Sequence, residues 1–328
     1  MELTKSEIIL NFGVNKMHKH AYLIIVHHNI EQLKLLLLAI DNNRTDIYII
    51  FDKKSKLDCN SKKKYLIKDL KYSRVWFIDS IKIYWGDYSL IDAEIKLFEK
   101  AYLEGKGKYS YYHLISGDNL PLTNQTDILK FFDEHPNMLF LSYGRITNRK
   151  LLERRIKYWH ISPRLIGKYG NKVSPINLLF RLIDNLFVMG QRFLGINKIK
   201  RFNLKVDYAS EWLTLNKEFV WQMLKNKDWI EKVFKHSIAC DELFIPILIN
   251  KLGFNNFVYN SSRQDNNPNS FQGSLDYINW WDGSPYIWQD SDIKKIEHIK
   301  SLGYLFSRKF DLNNTPKLKE WFIENIIY

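Results

Sequence analysis

The chain has 328 residues, 45% of them hydrophobic, 15% aromatic and 26% charged, the balance of a globular protein with ample material for a core. Ten tryptophans, 19 tyrosines and 20 phenylalanines against 14 glycines and 8 prolines exclude a disordered or collagen-like chain. A net charge of +13, with a pI near 9.4, favours anionic partners: nucleic acid, an acidic membrane surface or phosphorylated substrates.

Two cysteines, Cys59 and Cys240, make neither a disulfide framework nor a four-ligand structural zinc site, and a reducing compartment is expected. Residues 1–13 scatter Glu2, Lys5 and Glu7 among apolar residues, unlike a signal peptide. The longest apolar run, residues 35–40, is far too short to cross a bilayer. The expected location is therefore cytoplasmic.

From His20 onward the pattern predicts parallel β-α-β units. Residues 21–26 (AYLIIV) form a strand of continuous apolar character. A helix follows to about Ile40, with Asn29 accepting first-turn N–H groups and Gln32 reaching back in a capping box. Residues 47–51 and 75–78 are the second and third strands, 89–103 a helix, 109–115 a fourth strand and 139–143 a fifth. These strands empty polar and aromatic residues onto one edge: His27-His28, Asp52, Asp79 before Tyr84-Trp85-Gly86, and Ser116-Gly117-Asp118-Asn119. In an open doubly wound sheet that edge binds ligands, and this layout suits a nucleotide-sugar. The chain carries neither a G-x-x-x-x-G-K-[ST] loop nor a G-x-G-x-x-G after its first strand, which argues against P-loop and dinucleotide-binding enzymes.

Residues 163–205 change character. Segment 176–196 is rich in Leu, Ile, Phe, Val and Met, with Arg181, Asp184 and Arg192 as its only charges, and Lys168, Lys172, Lys198, Lys200, Arg201 and Lys205 flank it. It reads either as a helical hairpin packed on the core, the favoured expectation, or as a segment lying on a membrane surface. No metal site is expected. Asp290-Ser291-Asp292 precedes a helix predicted over 293–301, where capping accounts for it. His18, His20, His27 and His28 have no carboxylate or cysteine at matching spacing.

In order, the motifs at residues 21–28 (AYLIIVHH), 50–55 (IFDKKS), 84–86 (YWG), 113–122 (HLISGDNLPL), 209–215 (ASEWLTL), 241–242 (DE), 280–285 (WWDGSP) and 305–311 (LFSRKFD) resemble a known family. It is the core-2/I-branching β-1,6-N-acetylglucosaminyltransferases with the related peptide O-xylosyltransferases, glycosyltransferase family 14, and the chain looks like a bacterial-type member. The resemblance spans about residues 20 to 311, with 163–205 outside it. It implies an α/β fold of the GT-A type, a Rossmann-type mostly parallel sheet flanked by helices with an inserted helical segment. One domain is expected: a nucleotide-sugar half at 20–145, an acceptor and catalytic half at 146–311, and a C-terminal helix at 312–328.

The resemblance implies inverting transfer of a sugar from a UDP-sugar to a glycan hydroxyl, with no cofactor required. Glu242 matches the catalytic base, which accepts the proton of the attacking hydroxyl. Lys309, assisted by Arg308, offsets the charge of the leaving diphosphate in place of a metal. A second basic residue of the family, expected after Ser284-Pro285, is Trp288 or Gln289 here. On the donor side stand His27, His28, Asp52, Trp85, Ser116 and Gly117; on the acceptor side Asp118, Glu153, Arg154, Ser210, Trp212 and Trp280. The partners implied are a UDP-sugar donor and a glycan or lipid-linked saccharide acceptor, as in surface polysaccharide synthesis. Peripheral contact with the inner membrane face through 176–196 follows as an expectation. A non-catalytic UDP-sugar- or glycan-binding relative is the alternative reading. A basic nucleic-acid-binding protein is the third, and no recognisable motif supports it.

Overall fold

The computed structural model describes residues 18–161, 163–166 and 175–328; the expectations for residues 1–13, Lys168 and Lys172 lie outside them. Four parallel strands form the spine: β1 (Lys19–Val26), β2 (Thr45–Asp52), β3 (Arg74–Ile81) and β4 (Tyr109–Ser116). Later come the short β5 (Leu120–Pro121), β6 (Leu213–Asn216), β7 (Asp276–Ile278) and β8 (Phe306–Arg308). The main sheet has the order β3-β2-β1-β4-β6, with β6 antiparallel, and a second sheet has the order β5-β8-β7. Each sheet thus takes strands from both sides of residue 145.

Helices α1 (Ile30–Ala39), α2 (Asn60–Ile67) and α3 (Tyr88–Gly105) connect the first four strands. Between β5 and β6 lie α4 (Gln125–Glu134), α5 (Arg149–Lys157), α6 (Pro163–Ile166), α7 (Pro175–Phe193) and α8 (Lys198–Arg201). After β6 come α9 (Lys217–Lys225), α10 (Lys227–Phe234) and α11 (Asp241–Leu252), and after β7 α12 (Ile293–Ser301) and α13 (Pro316–Phe322). The α/β architecture read from the sequence is the one found.

Strands β1 and β2 read as unbroken apolar runs because both faces of the sheet are covered. Successive side chains alternate between the faces. Leu23, Ile25, Tyr48 and Ile50 join a core with Phe98, Phe219 and Phe244 of α3, α9 and α11. Tyr22, Ile24, Ile47 and Ile49 join a second core with Leu33, Leu36 and Phe322 of α1 and α13. Polar bonds cross the sheet as well: His20 lies 2.9 Å from His113, and His113 lies 2.8 Å from the Thr214 hydroxyl. Burial pushes His113 down to about 3, so this chain of contacts runs through a neutral imidazole.

Three expectations are corrected. Residues 139–143 make isolated bridges to Val258, Thr214, Ala209 and Arg263 and form no strand; β6 takes the place beside β4. Asn29 caps α1 by accepting from the Gln32 N–H at 3.1 Å, but the Gln32 side chain does not reach back. It is buried, donates to the carbonyls of Gly117 and Phe310 at 2.9 and 3.2 Å, and accepts from Leu312 N–H at 2.9 Å. A buried amide satisfies its bonds where carbonyls converge, so Gln32 clamps α1 to the end of β4 and the chain after β8. The third correction concerns α7. It is one 19-residue helix, not a hairpin, and among its described side chains only Asp184, Val188 and Gln191 are buried.

Candidate active site

Where β1 and β4 end, the chain assembles a cationic cradle. Gly117 N–H donates to Ile25 O at 3.0 Å, holding the two strand ends together. Ser116 is bonded within this turn: its N–H and hydroxyl both engage Asn119 Oδ1, and Asn119 in turn donates to Asp276 of β7. Burial pushes the Asp276 carboxyl up to about 7. This turn buries Asp118 and points its carboxylate at Lys309 Nζ, 3.3 Å away, and Arg308 Nη2, 3.9 Å away. The His28 and His27 rings stand at 3.4 and 3.9 Å from the same carboxylate. Burial holds His27 below its ordinary value although Asp118 pulls the other way.

Arg308 is further fixed by the face of Trp212, 4.9 Å from its guanidinium. The residue expected to be basic, Trp288, is fully buried; its indole donates to Ser307 and its N–H to Lys309 O, at 3.0 and 2.9 Å. It braces the strand that carries the two cations.

His27, His28 and Asp118 also form a set of three ligand-type groups whose donor atoms lie within 4.8 Å of one another. The sequence shows no carboxylate near the histidines because Asp118 arrives from a different strand. Its carboxylate faces Lys309 and Arg308, which already supply positive charge at this point. Asp290 and Asp292 do not cap α12 as expected, since Asp292 at its N-cap makes no side-chain bond to the first turn of that helix; both carboxylates are bonded elsewhere. Asp292 accepts from Gln289 N–H and from the Tyr286 hydroxyl, both at 2.9 Å, and Asp290 accepts from Leu318 N–H at 2.9 Å.

The second half of the site is acidic. Helix α11 opens on Asp241-Glu242, where acids complement the helix dipole. Arg155 of α5 donates to Glu242 Oε2 at 3.1 Å. Burial first, then the neighbouring Glu242, pushes Asp241 up to about 6. Burial, with Asp241 and Glu242 adding to it and Arg308 opposing, pushes Glu211 up to about 8. Glu94, from the buried side of α3, lies well above the usual carboxylate range for the same reasons. One oxygen each of Glu94 and Asp241 finds no hydrogen-bond partner among the described residues.

Residues 209–212 join the halves. Ala209 N–H donates to Glu242 O at 3.0 Å, Trp212 lies under Arg308, and Glu211 feels the charges of both Arg308 and Glu242. The arrangement sets a paired, partly exposed carboxylate near two cations fixed by a buried aspartate. Such a site can take a proton from a hydroxyl and hold an anionic group.

The other singled-out residues fall as follows. Asp52 is bonded to its own loop, accepting from Lys54 N–H at 3.0 Å and Ile83 N–H at 3.3 Å. A cavity of about 350 Å³ opens next to that loop, lined by Lys53, Lys56, Asp58, Asp79 and Ser80. Trp85 and Trp280 are exposed on loops. Ser210 ties two segments together, accepting from Ser142 N–H at 3.3 Å and donating to Trp212 O at 3.0 Å. Glu153 pairs loosely with Arg149 at 3.9 Å, and Arg154 points to solvent. The arginine that meets Glu242 is the next one, Arg155, and helix register alone decides that. Sequence reading gave no role to Arg155, Glu94 or Glu211.

A mostly parallel sheet with a polar carboxyl edge is a setting in which α/β proteins bind ligands. The chain belongs to the Core-2/I-Branching enzyme family of glycosyltransferases, whose model matches residues 20–302. Two solved structures are similar. The mouse xyloside xylosyltransferase 1 in its apo form shares 8% identity over 88% of this chain and 96% of that one, with a TM-score of 0.34. The S. aureus TarS 1-349 structure shares 13% identity over 43% of this chain and 40% of that one, with a TM-score of 0.25. No curated protein sequence matches the chain.

Proposed function

We propose that this chain is an inverting transferase that moves a sugar, N-acetylglucosamine-like or xylose, from a UDP-sugar to a glycan or lipid-linked saccharide hydroxyl. A role in surface polysaccharide synthesis goes with that reading. In the proposed step the hydroxyl oxygen attacks the anomeric carbon from the face opposite the diphosphate. The bond from that carbon to the phosphate oxygen breaks, UDP leaves, and the hydroxyl proton passes to Glu242. Lys309 and Arg308 face the charge that grows on the departing diphosphate, with no metal needed. Arg155 orients Glu242 through its 3.1 Å hydrogen bond to Oε2.

The observation that carries this reading is the segment 209–212, which bonds to the backbone of Glu242 at one end and supports Arg308 at the other. It links a proposed proton acceptor to a proposed anion cradle through four consecutive residues. A thermal-shift screen of UDP-sugars, followed by assay of UDP release, tests it. A ligand at about 100 times its Kd adds roughly 2.7 kcal/mol to stability, so the right donor raises the melting temperature and is slowly hydrolysed. Binding without any hydrolysis or transfer would favour the non-catalytic alternative.

A further inference from the structure

Helix α7 is built inside out. A surface helix ordinarily turns its apolar stripe to the core and its polar residues to water. Here the stripe facing the protein is Asp184, Val188 and Gln191, spaced four and three residues apart. Asp184 lies 2.8 Å from the His160 ring and accepts from Ile161 N–H at 2.9 Å. Gln191 exchanges two bonds with the Trp159 backbone, at 2.7 and 2.9 Å. On the far side Leu178, Leu179, Leu182, Ile183, Leu186 and Phe187 are all exposed, and Phe193 at the end is 91% exposed. An apolar face of this size on one helix marks a contact surface.

Charge selects the occupant. Residues 163–205 hold nine lysines and arginines against one acid, Asp184; Asp184 is turned inward, as is Lys198, which is buried on the Ser237 hydroxyl. The charges that α7 leaves toward solvent belong to Arg181 and Arg192. Exposed Arg164, on α6 beside α7, and Lys200 and Arg201 on α8 extend the same sign. A second copy of this face would meet it with the same charge. No helix among the described residues is long and apolar enough to cross a membrane, so the fitting geometry is a helix lying in the surface plane.

We propose that α7 docks the protein onto an anionic lipid surface, its leucines and phenylalanines among the acyl chains and its arginines at the headgroups. The Trp159–His160 segment that grips α7 follows directly on α5, which carries Arg155 to Glu242. Docking through α7 thus acts on the segment that continues from α5 and Arg155.

The test is co-sedimentation of the full chain with phosphatidylcholine vesicles, with and without phosphatidylglycerol. Expected are binding to the anionic vesicles at low salt, release at high salt, and little binding to the neutral ones. Leu182→Gln with Leu186→Gln should cut partitioning by roughly tenfold or more per leucine. Arg181→Gln and Lys200→Gln should each cut it about fivefold. Both leucines are solvent-facing, so the double variant keeps its melting temperature, which separates lost docking from lost folding. Equal binding to both vesicle types, binding to neither, or unchanged binding by the double variant overturns the proposal. So does a dimer that the double variant converts to monomer without any vesicle binding. No step of the assay needs donor or turnover, so its outcome is independent of the proposed reaction.

Discussion

At the carboxyl ends of β1 and β4 a single buried carboxylate, Asp118, sits among Lys309, Arg308, His27 and His28. Beyond segment 209–212, Glu94, Glu211, Asp241 and Glu242 influence one another, and Arg155 is hydrogen-bonded to Glu242. In the first region positive charge exceeds negative, a surplus suited to the anionic group proposed above. In the second, burial raises Asp241, Glu211 and Glu94, and Glu211, pushed up to about 8, is mostly protonated at neutral pH. Arg155 pairs with Glu242, the residue proposed above as the base, at 3.1 Å. The two regions thus reach opposite polarity by different means, one by pairing and one by desolvation.

Removing the basic oxygen should have the largest effect. Glu242→Gln keeps the shape and a hydrogen bond to Arg155 but cannot take a proton. General-base catalysis contributes about 10²–10⁴-fold, so turnover in a UDP-release assay should fall by that factor while the thermal shift given by UDP persists. Near-normal turnover would break the comparison at its acidic side. The cationic side comes next. Lys309→Ala should lower turnover by about 10²–10³-fold, the usual cost of losing one donor to a developing anion. Unlike the glutamine variant, it should also weaken UDP binding, because Lys309 would face the diphosphate before and during transfer. If both variants showed the same loss pattern, the division of labour between the two sides would be wrong.

The protonated carboxyls give a smaller effect, read on stability. Glu211 is raised to about 8 and Asp276 to about 7, against about 4 for unfolded carboxyls. The folded state therefore holds more protons between those values. The stabilisation is complete below about pH 4 and is lost as pH climbs through the folded values. His113, pushed down to about 3, acts the other way, but its contribution is lost only below about pH 6.5. The melting temperature should thus decline between about pH 6.5 and pH 8, and Glu211→Gln should flatten that decline. A decline unchanged in the variant would remove Glu211 from the account.

The legible part of this molecule was the part made of long, doubly covered strands. Runs such as AYLIIV and IYIIF announce themselves because both faces are apolar, and the residues ending them fall on one edge by topology alone. Strands β5 to β8 are two to four residues long, and distant partners fix their pairing, so local pattern carries no signal for them. Arg154 and Arg155 differ by one position, about 100° around a helix, which decides who meets Glu242 and which no motif states. Helix α7 shows a third limit. Its amphipathic stripe is plain in the sequence, but the side that faces the protein depends on His160 and Trp159 accepting its polar residues.

The smallest expected effect is no effect, and it bears directly on the cationic side. His27, His28 and Asp118 are close enough to bracket a divalent ion, and a metal there would give the diphosphate its countercharge by another route. Asp118, however, is buried against Lys309 at 3.3 Å. A divalent ion on the same carboxylate would sit beside that ammonium group, and like charges so close repel in a poorly solvated site. One carboxylate serves one kind of cation well. Turnover should therefore be unchanged after dialysis against EDTA, and added Mn²⁺ should not raise it. In Lys309→Ala the repulsion is gone and the three ligands remain, so Mn²⁺ or Zn²⁺ should restore part of the lost activity. Loss of wild-type activity on chelation, regained with Mn²⁺, would show that the resident cation of this cradle is a metal, with Lys309 in a supporting place.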